Sequence, residues 1–156
     1  MNLSVHSLYF SYQAAPLLRD LDFSLDTGSF VCVLGKNGAG KSTLFQCILN
    51  LQKNYTGMIS LDGQNVKALK EKELAKSIAY IPQLHKQSFP FSVFDTVLMG
   101  TAASLSPFST PKEAQKEAAM EALHLMGMEK YASRSFSHLS GGEQQMVLIA
   151  RALAQK

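Results

Sequence analysis

Residues 35–43 read Gly-Lys-Asn-Gly-Ala-Gly-Lys-Ser-Thr, and few folds accommodate such a run. Gly35, Gly38 and Gly40 admit positive φ and put no Cβ between the backbone and whatever approaches it. The pattern fits G-x-x-x-x-G-K-[ST], which carries meaning only when a strand leads in and a helix leads out. Both are written around it. Phe30-Val31-Cys32-Val33-Leu34 is a continuous apolar run, as expected of a parallel strand buried on both faces. After Lys41, apolar residues fall at Leu44, Phe45, Ile48, Leu49 and Leu51, which predicts a helix ending near Asn50.

The residue types of this loop dictate a chemistry. The amides of Gly35, Lys36, Asn37, Gly38, Ala39 and Gly40 can turn inward as an anion nest. The helix that starts near Lys41 adds free N-terminal amides and the positive end of its dipole. Lys41 is placed to reach the β- and γ-phosphates of a nucleotide, and the Ser42 hydroxyl to bind Mg²⁺. Thr43 is placed to support the α-phosphate. The loop therefore implies a nucleoside triphosphate and Mg²⁺, and says nothing about how the energy is used.

Composition narrows the alternatives. The chain has 156 residues, 46% hydrophobic and 17% charged, which suits one ordinary globular domain. A net charge of +3 without any Lys/Arg block gives no support to a nucleic-acid partner. Cys32 and Cys47 fall in the predicted strand and helix without metal-type spacing, so both are expected to be reduced core thiols. His6, His85, His124 and His138 share no spacing and are read as surface or packing residues. The N-terminus lacks a secretory pattern, and no stretch reaches the roughly 18 apolar residues of a membrane span. Work at a membrane would therefore go through a partner.

Along the chain, residues 3–11 and 17–25 alternate as two strands, joined by a turn at Gln13-Ala14-Ala15-Pro16. Tyr12 lies just before that turn, either as an edge packing residue or as an exposed ring on which adenine stacks. Asn54-Tyr55-Thr56-Gly57 reads as a turn and Met58–Leu61 as a short strand closed by Asp62-Gly63. A surface helix is expected over 68–77, with Leu69 and Leu74 inward. Ser77–Ile81 reads as a second buried strand, stopped by Pro82. Gln83 follows that strand, where open α/β sheets bind ligands, and is either a ligand-site residue or a solvated loop glutamine.

From residue 84 the composition changes. Phe89, Phe91 and Phe94 are either an exposed contact surface or the core of a small helical subdomain. A short helix is expected over Asp95–Gly100. A longer one is expected from an N-cap at Thr110, with Pro111 first and Glu113 closing the cap. Its predicted inner face is Ala114, Ala118, Ala122, Leu125 and Met126, and Gly127 ends it. Finally, Leu139-Ser140-Gly141-Gly142-Glu143 opens a strongly apolar helix through Ala154. Two glycines strip side chains from that helix N-terminus, which makes a second potential phosphate contact.

Together these landmarks resemble the ATP-binding subunits of ABC transporters, over the whole chain. The resemblance rests on Tyr12, the phosphate loop Gly35–Thr43, Gln83 and the signature Leu139-Ser140-Gly141-Gly142-Glu143, in that order. It implies an α/β P-loop NTPase core with an antiparallel β subdomain and a helical subdomain. Residues 1–83 would form the β subdomain and nucleotide-binding core, and 84–156 the helical subdomain. It further implies two ATPase subunits paired head to tail, with ATP between the loop of one and Ser140 and Gly142 of the other. Gln83 would help place Mg²⁺ and the attacking water. Residues around 85–110 resemble the part that receives the permease, which would hold the chain at the cytoplasmic face of the membrane. A substrate-binding protein would be an indirect partner. Lys36 stands where proline is frequent, and Glu143 where glutamine is.

The stretch Phe89–Gly100 with Gly142-Glu143-Gln144-Gln145 looks most like importers of iron–siderophore complexes, haem and cobalamin, with a zinc or manganese importer as the alternative. The family continues past the signature helix into an apolar strand ending Asp-Glu and then a switch histidine. No such Asp-Glu segment occurs in these 156 residues, so the catalytic glutamate is absent. The chain is therefore expected to be C-terminally incomplete, to bind ATP weakly or not at all, and not to turn it over. The other readings are a truncated, non-catalytic nucleotide-binding fragment and a non-transport ABC protein. The latter usually carries tandem domains or a coiled-coil insertion, and neither is present.

Overall fold

Alternation of apolar and polar residues builds the first sheet. The computed structural model describes residues 1–13, 15–82, 90–105 and 109–155. They fall into two units, Met1–Ser77 and Ile78–Lys156, taken separately below. The expected boundary at 83–84 lies outside the described residues.

In the first unit, β1 (Leu3–Ser11), β2 (Pro16–Leu25), β3 (Thr56–Leu61) and β4 (Gln64–Asn65) form an antiparallel sheet in the order β2-β1-β3-β4. Val5, Leu8 and Ile59 are fully buried. Each such side chain contributes about 1.5–3 kcal/mol by leaving water. The Asp62-Gly63 turn forms as expected, with φ of +47° and +80°. It leads directly into β4. Helix α1 (Lys41–Ile48) follows the loop, and α2 (Glu71–Ser77) buries Leu74.

Gly57 corrects one expectation. It lies inside β3 rather than in a turn, with φ +86°. His6 pairs with Met58 and Tyr9 with Thr56, so Ser7 and Leu8 stand against Gly57 alone. This is a β-bulge, and Ser7 takes the companion positive φ of +43°.

The predicted strands 30–34 and 77–81 do not form. Neither segment belongs to the four-stranded sheet. Among the described residues, the backbone of 30–34 makes no hydrogen bond. Phe30 is 94% and Leu34 86% exposed. A strand buried on both faces exists only between neighbouring strands, and none pairs with this run. Cys32 is accordingly exposed, not a core thiol, whereas Cys47 on α1 is buried.

Tyr55 is buried beneath Lys67, whose ammonium lies 3.8 Å from the ring centroid and donates to the Tyr55 carbonyl at 2.8 Å. The phenol oxygen is buried without a hydrogen-bond partner among the described residues. Burial, with a smaller contribution from Cys47, pushes the phenol from 10.0 up to about 12. Folding thus favours the protonated phenol. Its contribution to stability is whole below pH 10 and is lost as pH rises toward 12. Ultraviolet titration should show a phenolate transition near pH 12 that Tyr55→Phe removes. Identical titrations of the two proteins would contradict the assignment.

The second unit is helical: α3 (Val93–Leu98), a 3₁₀ turn at Met99–Ser104, α4 (Glu113–Leu125), two further 3₁₀ turns, and α5 (Gly141–Leu153). Val93, Val97, Leu123, Phe136 and Val147 form its fully buried centre. Ser92 caps α3 by accepting from the Asp95 amide at 3.0 Å, and Asp95 returns the contact. Of the three phenylalanines, Phe94 is half-buried against the core and Phe91 exposed, and Phe89 lies outside the described residues.

Helix α4 departs from expectation at its start and on its face. It begins at Glu113 behind an extended Lys112, whose amide donates to Gln115 Oε1 at 3.1 Å. Thr110 and Pro111 precede it outside the helix. The buried face is Ala119, Ala122 and Leu123, while Ala114 and Leu125 are exposed. The buried stripe follows i, i+3, i+4 from residue 119; of the predicted face Ala122 lies on it, and Ala118 and Met126 are half-buried, Met126 against the core.

Candidate phosphate-binding site

The loop sits at the N-terminus of α1. Gly38 and Gly40 have φ of +81° and +94°. Gly40 is the N-cap, and no side chain caps the helix. A Cβ at Gly40 would meet the side chains of Leu18, at 2.8 Å, and Leu17, which would have to shift, and the left-handed φ itself favours glycine there. The amides of Gly38, Gly40, Lys41, Ser42 and Thr43 find no backbone acceptor among the described residues. Uncapped first-turn amides, a left-handed approach and the dipole end are the components of an anion site. Lys41 Nζ donates to the carbonyls of Gly35, at 2.7 Å, and Lys36, at 2.9 Å. Its ammonium therefore curls over the loop it belongs to. Ser42 is exposed and Thr43 buried.

Tyr12 stands beside this helix. Its hydroxyl lies 3.5 Å from Thr43 Oγ1 and 3.4 Å from Gln46 Oε1. Its ring packs edge-on against Phe10, with centroids 4.8 Å apart, and stays 60% exposed. Gln46 is a site neighbour that the sequence reading missed. Its one signal was position, on the α1 face three residues beyond Thr43. Next to the loop, an apolar cavity of about 470 Å³ is lined by Leu18, Phe23, Val31, Val33 and Lys41, among others.

The second glycine-opened helix lies in the other unit. Ser140 caps α5, and Glu143 folds back onto it, with Oε2 at 2.8 Å from the Ser140 amide and 2.7 Å from its hydroxyl. This S-x-x-E box was legible in the sequence and went unread. The Ser140 hydroxyl and amide hold the Glu143 carboxyl below its usual range, helped by the Tyr131 hydroxyl and the Arg134 charge. Leu139 is buried, and Gly141 and Gly142 are exposed with open space where a Cβ would stand. Gln83 lies outside the described residues.

The α1 end offers uncapped donors and positive potential, whereas at α5 the Glu143 carboxylate already accepts from Ser140. Among the described residues, no group of three or more His, Cys, Asp or Glu could hold a metal. The arrangement suits binding of a polyanion more than acid–base work. A family model described as ABC transporter matches residues 18–156. The chain belongs to the ABC transporter family. Within the family it is 39% identical, over 99% of its length, to a molybdate import ATP-binding protein of Haemophilus influenzae, of which it spans 56%. It is 40% identical over its whole length to a probable iron chelatin transport ATP-binding protein of Helicobacter pylori, spanning 62% of it. Among solved structures, an inward-facing ABC transporter described as of metal-chelate type superposes with a TM-score of 0.81 at 36% identity, over 98% of this chain and 55% of that one. The ABC chain thus has the fold class the sequence implied, and it spans a little more than half the length of these relatives. No described helix is long and apolar enough to cross a membrane.

Proposed function

We propose that this chain is the ATP-binding part of an ABC importer subunit. Gly35–Thr43 cradles the phosphates of ATP, Lys41 meets the β- and γ-phosphates, Thr43 supports the α-phosphate, and adenine stacks on Tyr12. What carries the reading is the uncapped N-terminus of α1, with its free amides beside an ammonium. The same donor set fits Mg-ATP. Ser42 would hold Mg²⁺ together with Gln83, and the ion would supply charge neutralisation at the β- and γ-phosphates. Ser140–Glu143 would face the ATP of a second ATPase subunit paired head to tail. Permease subunits would hold the chain at the cytoplasmic face of the membrane and receive a substrate from a binding protein.

The substrate we favour is an iron–siderophore complex, haem or cobalamin, in line with the iron chelatin relative. The molybdate relative supports a second reading, import of a small oxyanion. Uptake of labelled ferric siderophore, haem, cobalamin and molybdate by cells with and without Lys41→Ala separates the two. Loss of chelate uptake alone supports the first reading, and loss of molybdate uptake alone the second. If no uptake changes, the transport reading fails.

Tyr12→Ala should weaken ATP binding about fivefold to tenfold, the worth of one stacked base. It should also erase any preference for ATP over inorganic triphosphate. An unchanged preference, measured by calorimetry, would remove Tyr12 from the site.

A further inference from the structure

We propose that Glu143 sets how readily the N-terminus of α5 accepts a phosphate, because its carboxylate already holds the donors a γ-phosphate needs. The inference rests on the reading of Ser140–Glu143 as a contact for a nucleotide.

The Ser140 hydroxyl has one proton, and it is given to Glu143 Oε2 at 2.7 Å. The Ser140 amide donates to the same oxygen at 2.8 Å. In return the Ser140 oxygen accepts from the Glu143 amide at 3.4 Å. A phosphate oxygen that bonds to Ser140 must therefore displace a carboxylate. Charge opposes it as well. The free amides of α5 give its first turn a partial positive potential, and the seated carboxylate cancels much of it. Glu143 is ionised at neutral pH, since Ser140, Tyr131 and Arg134 all favour the charged form. Around this point the approach is open, because Gly141 and Gly142 present no side chains and nothing lies within 4 Å of where a Cβ would be. The geometry thus combines free access with one negative charge in front of the donors. A neutral glutamine in the same position would complete the same capping box without that charge.

The alternative is that Glu143 serves only as a cap. The two accounts part in a titration with inorganic triphosphate, followed by amide NMR at Gly141 and Gly142, with Gly38 and Gly40 as separate reporters of the loop. Glu143→Gln should tighten binding at Gly141 and Gly142 about fivefold at low salt, with little change in thermal stability. Glu143→Ala removes charge and cap together and should gain less than Glu143→Gln. Equal affinity of wild type and Glu143→Gln, absence of any shift at Gly141 and Gly142, or a larger gain in Glu143→Ala would each overturn the proposal. The loop reporters are read independently. If Gly38 and Gly40 fail to respond while the α5 amides do, the nucleotide reading of the loop fails and the role of Glu143 stands.

Discussion

Gly57→Ala should leave the first unit without a stable sheet. Two costs coincide at this position. An L residue at φ +86° is strained by about 1–2 kcal/mol. A Cβ there would also land on the carbonyl oxygens of Ser7 and His6. Backbone cannot rotate aside as a side chain can, so β1 and β3 would have to separate at the bulge. Overpacking of this kind adds about 1–3 kcal/mol, a large share of the 5–15 kcal/mol by which a domain is stable. Gly63→Ala isolates the first cost, because Gly63 has φ +80° and nothing within 4 Å of its Cβ position. Urea denaturation should show a modest shift for Gly63→Ala and a much larger one, or insoluble protein, for Gly57→Ala. Equal midpoints for the two variants would mean that the bulge yields and that the close approach costs nothing.

Lys41→Ala should weaken binding of Mg-ATP roughly a hundredfold, in keeping with the 2–5 kcal/mol lost when one member of a close charge pair is removed. The fold should survive, because the Lys41 side chain is not part of the core and donates only to the carbonyls of Gly35 and Lys36 among the described residues. The ammonium already gives two of its three protons to those carbonyls, so part of the lysine's attraction to a phosphate is offset in the wild type. The penalty for alanine should therefore be larger for ATP than for AMP, which lacks the β- and γ-phosphates. Calorimetry with both nucleotides checks this, and equal losses for ATP and AMP would place Lys41 away from the terminal phosphates.

What could be read ahead of the structure was what short segments decide among themselves. The phosphate loop, the Asp62-Gly63 turn and the glycine-opened α5 each follow from residues within a few positions of one another. The runs Phe30–Leu34 and Ser77–Ile81 went differently. Their apolar character says what would become of them between other strands, and no described strand pairs with 30–34. The face of α4 was read only in part, Ala122 correctly and Ala114 and Leu125 not, because alanine at 114, 118, 119 and 122 gives a weak periodic signal that only packing into the core with Val97 and Phe136 resolves. Gly57 looked like turn punctuation because the sequence does not show that Ser7 and Leu8 stand opposite it. Tyr12 beside Thr43 and Gln46 likewise depends on where β1 ends relative to α1, a distance in space that spans more than 30 positions in sequence.

The central claim is that the loop before α1 holds the triphosphate end of a nucleotide. Its most direct test is an amide NMR titration of the chain with Mg-ATP, repeated with AMP. Saturable shifts centred on Gly38, Gly40, Ser42 and Thr43 with ATP, and weak or absent shifts with AMP, are the predicted result. Shifts that leave these residues unmoved, or that are the same for AMP as for ATP, would contradict it.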